Sequence, residues 1–102
     1  MPSDTSFGLI NIQNKSNYTQ TYSNVGKGLK SLRLFITGDL GDSGLIKFEM
    51  LMPDATWQSF PSLTFRAIDS YYIQMPYPYT FRVVIQDCVD VSVFAPRQDG
   101  NF

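Results

Sequence analysis

Tyr79-Thr80-Phe81-Arg82-Val83-Val84-Ile85-Gln86-Asp87-Cys88-Val89-Asp90-Val91-Ser92-Val93-Phe94 is the stretch that decides the fold class. Tyr79, Phe81, Val83 and Ile85 alternate with Thr80, Arg82, Val84 and Gln86. Beyond Asp87 and Cys88, the valines Val89, Val91 and Val93 alternate with Asp90, Ser92 and Phe94. Successive side chains of a strand point to opposite faces, so a period of two marks pleated segments that commit one face to a core. The stretch reads as two strands joined by an abrupt turn, a closing hairpin.

The same period recurs upstream. Phe7-Gly8-Leu9-Ile10-Asn11-Ile12 is a short strand candidate that ends at the turn-prone Asn14-Lys15-Ser16-Asn17. Tyr18, Gln20 and Tyr22 alternate with Thr19 and Thr21, a strand whose inner face the pattern leaves open. Leu32, Leu34 and Ile36 share a face opposite Arg33, Phe35 and Thr37, and the glycine-rich residues 38–44 then reverse the chain as a hairpin loop. Ile46, Phe48, Met50 and Met52 point inward, with Lys47 and Glu49 on a solvent face, until Pro53 ends the strand. Trp57 follows the turn at 53–56. Leu63, Phe65 and Ala67 form one apolar face, and Tyr71, Ile73 and Met75 another before Pro76-Tyr77-Pro78. A helix over 67–75 is disfavoured because Asp69 and Ser70 interrupt any apolar stripe.

These readings give an all-β chain of about seven to eight short strands, a sandwich or a barrel. With 102 residues, 43% of them apolar, the chain fills one core and no second. Residues 1–6 read as a flexible polar arm, 7–97 as the β domain and 98–102 as a tail, the two ends being ordered by a partner.

Composition excludes several function classes. A net charge of -1 with eight scattered basic residues gives no phosphate-neutralising patch, so nucleic acid is not an expected partner. No apolar run approaches the ~18 residues of a membrane span, and residues 1–4 do not open a secretory signal, so synthesis in a cytosol and no membrane partner are expected. Cys88, the only cysteine, forms no intrachain disulfide and is expected as a small buried hydrophobe. Asn14-Lys15-Ser16 and Asn17-Tyr18-Thr19 match the glycosylation pattern but read as polar turn residues.

Histidine, the usual general base, is absent. Asp39 with Asp42, and Asp87 with Asp90, are the carboxylate pairs left for acid–base work, and turn aspartates already have a role in local backbone hydrogen bonding. Asp39, Asp42 and Ser43 could offer oxygen ligands to calcium, but the ligand ladder of a calcium loop is missing, and no cofactor or metal is expected. Gly26-Lys27-Gly28 precedes a strand rather than the helix of a phosphate loop. The aromatic residues carry the functional expectation: Trp57, Tyr71, Tyr72, Tyr77 and Tyr79 suit a sugar-stacking platform or a protein interface. Tyr77, between two prolines, is the prime candidate for outward display.

Several segments occur in an order that resembles small β-sandwich virion proteins of tailed bacteriophages. They are Phe48-Glu49-Met50-Leu51-Met52-Pro53-Asp54-Ala55-Thr56-Trp57, Tyr71-Tyr72-Ile73-Gln74-Met75-Pro76, Tyr79-Thr80-Phe81-Arg82-Val83-Val84 and Val89-Asp90-Val91-Ser92-Val93-Phe94. The chain departs from that pattern at Ala55 and at Asp87-Cys88-Val89, where those proteins commonly place glycine. The resemblance implies a single antiparallel, jelly-roll-like β-sandwich and a non-enzymatic structural virion protein: a capsid decoration or cement subunit, or a piece of a neck, tail or fibre. It implies repeated copies, for example a trimer, bound to the major capsid protein or to a neck or tail protein. Partner-binding candidates are Trp57, Tyr72, Tyr77, Tyr79 and Phe102. The competing expectation is a tail- or fibre-associated module that binds a glycan or receptor through Trp57 and Tyr77.

Overall fold

Eight strands in chain order account for the pleated segments of the computed structural model, which describes residues 9–25, 31–74 and 79–95. They are β1 (Ile10–Lys15), β2 (Tyr18–Val25), β3 (Ser31–Asp39), β4 (Leu45–Leu51), β5 (Trp57–Phe65), β6 (Asp69–Gln74), β7 (Tyr79–Gln86) and β8 (Asp90–Ala95). The pairing is nested: β1 lies against β8, β2 against β7, β3 against β6 and β4 against β5, all antiparallel. This is a long ribbon folded once at the β4–β5 turn. The ribbon then curls, so that β8 also pairs with β3 and β7 with β4. Two four-stranded sheets result, ordered β1-β8-β3-β6 and β2-β7-β4-β5. Eight antiparallel strands in that order are a jelly roll, and the expected sandwich is the fold.

The inner faces follow the alternation in sequence. Ile10 and Ile12, Leu34 and Ile36, Ile46 and Phe48, Phe81, Val83 and Ile85, and Val91, Val93 and Ala95 are all buried between the sheets. Phe81 stacks between Tyr22 and Phe48, at 5.2 and 5.1 Å between ring centres. That contact settles the inner face of β2, whose Tyr18 and Tyr22 pack on the core while Thr19 and Thr21 face solvent.

Several expectations are corrected. β7 and β8 are strands, but they belong to opposite sheets, so Asp87-Cys88-Val89 carries the chain across the sandwich and is no hairpin. Residues 40–44 likewise cross between sheets. A hairpin and a crossover impose the same period of two, because both strands present apolar faces to one core. Among the described residues, the β4–β5 connection is the single hairpin between consecutive strands.

Val89 is 58% exposed and Ala67 is exposed, whereas Ala95 is fully buried. β1 runs through Lys15, with Asn14 at φ 57° in a bulge opposite β8, so the turn begins later than the asparagine suggested. β5 runs through Pro61. It is an edge strand, where a missing N–H is tolerated, and residues 60–63 bulge out opposite the single residue Phe48. Lys47 and Glu49 are on the outer face as expected, but the Glu49 side chain is covered there and only 12% exposed.

Gly38 fixes the β3–β8 contact. It sits at φ 103°, paired with Val91, and a Cβ there would come within 2.2 Å of the Asp90 carbonyl oxygen. Only glycine fits such an approach at a positive φ.

Candidate functional site

The outer face of the β2-β7-β4-β5 sheet carries a connected row of side chains. Glu49 on β4 and Arg82 on β7 are cross-strand partners. Arg82 Nε donates to Glu49 Oε1 at 2.6 Å, and Lys47 Nζ lies 3.6 Å from Glu49 Oε2. The Arg82 guanidinium also covers the Trp57 indole, 4.3 Å from the ring centre. Trp57 reaches this place because the tight β4–β5 hairpin pairs it with Leu51 on the outward side of the sheet. The row is a charge-assisted clamp that holds an aromatic ring flat against a sheet face.

Tyr72 lies elsewhere. It sits on the edge strand β6, 60% exposed, on the outer face of the other sheet, with the Arg33 guanidinium 5.4 Å from its ring centre. Trp57 and Tyr72 therefore look out from opposite sides of the sandwich and form no common platform. Tyr71 points inward, packs 4.2 Å from the Phe65 ring and donates its hydroxyl to the Ala67 carbonyl at 2.7 Å. Tyr77, Phe102, the side chain of Tyr79, the arm of residues 1–6 and the tail of 98–102 lie outside the described residues.

At one end of the sandwich three loops lock together. Cys88 N–H donates to the Ser16 carbonyl at 3.1 Å, and Val89 N–H to the Asp39 carbonyl at 3.2 Å. Ser16 Oγ donates to the Val89 carbonyl, and Asn17 Oδ1 accepts from Asp87 N–H. Asn17 thus spends its side chain on a turn, as expected. Cys88 is 7% exposed, its thiol directed at the Leu45 and Gln86 carbonyls, and burial pushes its pKa up, so it is the small buried hydrophobe the sequence implied.

The aspartates here do local work. Asp39 Oδ1 accepts from Gly41 N–H at 2.9 Å. Asp39 also faces Asp90 across the β3–β8 ladder, a pairing of carboxylates distant in the chain. Among the described residues no cluster of three or more His, Cys, Asp or Glu could hold a metal ion.

A groove of about 420 Å³ lies along the β5 bulge, lined by Ser59, Phe60, Pro61, Thr64 and Arg66. Thr64 Oγ1 closes the bulge by donating to the Phe60 carbonyl at 3.0 Å. The apolar face read from the sequence begins at Leu63 and so passes over Phe60 and Pro61. The signal that marks it is Phe60-Pro61 inside a stretch, 58–64, that is otherwise mostly polar.

The class these features define is an eight-stranded jelly-roll β-sandwich with aromatic–arginine pairs on both outer faces. No protein-family model, curated protein or solved structure matches the chain.

Proposed function

We propose that this chain is a non-enzymatic structural virion subunit, made in a host cytoplasm and carried in the particle as a capsid decoration or cement protein. The observation that carries this reading is the strand order β1-β8-β3-β6 over β2-β7-β4-β5, an architecture that recurs in viral capsid domains. The outward Trp57–Arg82 and Tyr72–Arg33 pairs support it, because aromatic and arginine side chains are enriched where protein surfaces meet. Two such patches on opposite faces suit a subunit wedged between neighbouring shell or neck proteins. The absence of histidine from the whole chain fits a role without proton transfer.

The test is purification of intact virus particles followed by peptide mass spectrometry. Many copies per particle, released without loss of the genome-filled shell, support a decoration role; complete absence of the polypeptide from particles overturns it. A glycan- or receptor-binding module is the second reading, favoured by the 60% exposure of Tyr72. Under it Tyr72→Ala abolishes binding on a glycan array, while a blank array for the unmodified protein removes it.

A further inference from the structure

We infer that the open edge of β2 is a self-recognition site, through which two copies of the chain pair antiparallel about a two-fold axis at Gln20. β2 ends its sheet and bonds only to β7, so the outward row of its backbone N–H and C=O groups has no strand partner among the described residues. Such rows template the addition of another strand unless the chain blunts them.

The other edges are blunted or short. β1 is broken by the Asn14 bulge, β5 by Pro61 and the outward loop of 60–63, and β6 has six residues and opens on Asp69. β2 has eight residues and no charge. Its register with β7 is unbroken from Tyr18 through Tyr22 and shifts at a bulge only beyond that stretch, between Tyr22 and Val25.

That regular stretch is Tyr18-Thr19-Gln20-Thr21-Tyr22, which reads the same in both directions. An antiparallel copy centred on Gln20 sets Tyr18 opposite Tyr22, Thr19 opposite Thr21 and Gln20 opposite itself. A two-fold axis perpendicular to the sheet keeps inner faces together. Tyr18 and Tyr22 of the two copies then extend the aromatic core on one side, and the exposed threonines pair on the other. Aromatic and Thr–Thr cross-strand pairs are both favourable. Gln20 Oε1 already accepts from the Tyr18 hydroxyl at 3.0 Å, and its amide has two N–H donors to offer its symmetry mate.

Two charges flank this stretch: Arg82, the cross-strand neighbour of Thr21 on β7, and Lys15, which lies over the Tyr18 ring at 4.8 Å. Lys15 sits at the far end of the pairing from its symmetry mate and Arg82 is one strand in from the edge, so no like charges face each other across the axis. The occupant that this self-complementary edge fits is therefore a second copy of the chain, joining two four-stranded sheets into one of eight.

Light scattering after size exclusion of the full chain tests this, with circular dichroism to confirm folding of each variant. The unmodified protein runs as a dimer. Thr19→Lys/Thr21→Lys places lysine opposite lysine twice and weakens the dimer about tenfold or more. Thr19→Lys/Thr21→Glu places lysine opposite glutamate twice and stays dimeric, as a pairing centred on Gln20 requires. A monomer at all concentrations, a trimer, or equal behaviour of the two variants overturns the pairing. Each of these outcomes leaves the virion role to be decided separately by particle composition.

Discussion

Replacing Ala55 with glycine should stabilise the protein. Ala55 closes the β4–β5 hairpin: its N–H donates to the Met52 carbonyl at 2.9 Å, and Met52 N–H donates to the Thr56 carbonyl at 2.8 Å. This is a turn with Pro53 in its favoured second position, followed by one left-handed residue, and that residue is Ala55 at φ 70°. Alanine thus adopts the conformation for which glycine would be the ordinary choice. A left-handed conformation costs a residue with a Cβ about 1–2 kcal/mol. Glycine removes that cost and adds about 0.5–1 kcal/mol of chain entropy lost on folding. The net gain is about 0.5–1 kcal/mol, worth roughly 2–8 °C in Tm for a domain of this size. Thermal and urea melts of Ala55→Gly measure it, and Ala55→Asn, which tolerates the same conformation, should fall between the two. A lower or unchanged Tm for both variants would refute the turn assignment.

Other outcomes follow from the same geometry. Gly38→Ala should cost more than about 2 kcal/mol in urea unfolding, since it combines a strained φ with a backbone clash at Asp90. Glu49→Gln should weaken the clamp by about 1 kcal/mol, less at high salt, and change Trp57 fluorescence as Arg82 loosens from the ring. Burial, then the neighbouring Tyr18, pushes the Tyr22 pKa up to about 12, above the usual tyrosine value. A raised pKa in the folded state means stability complete below about pH 10 and lost as pH climbs towards 12, so Tyr22→Phe should remove part of that alkaline loss in urea melts between those values. Cys88 should resist iodoacetamide in the native protein and react promptly in denaturant; equal rates in both would contradict its burial.

Strand identity was legible because each inner face repeats every second residue, and Val83, Ile85, Val91 and Val93 are as buried as their spacing implied. Connectivity was not. The segment at Asp87-Cys88 has the composition of a tight turn, yet its two strands bond to different neighbours, and partner choice depends on contacts distant in sequence. β5 was obscured by Pro61, which breaks a central strand but not an edge. Of the candidate interface, Trp57 and Tyr72 were legible as members of an aromatic group suited to recognition. Their separation onto opposite faces was not, because it follows from which sheet each strand joins. Arg82 and Glu49 carried no signal beyond a charge in a strand, and their joint clamp appears only once β4 and β7 are neighbours.

The strand order carries both the virion reading and the pairing edge, so the most direct test is a set of cross-strand backbone contacts measured by NMR. The jelly roll predicts Hα and amide contacts between Ile12 and Val93, between Gln20 and Val83 and between Leu34 and Tyr71. Contacts that instead join Val84 to Val91 and Ile85 to Asp90, the ladder of a β7–β8 hairpin, would contradict it.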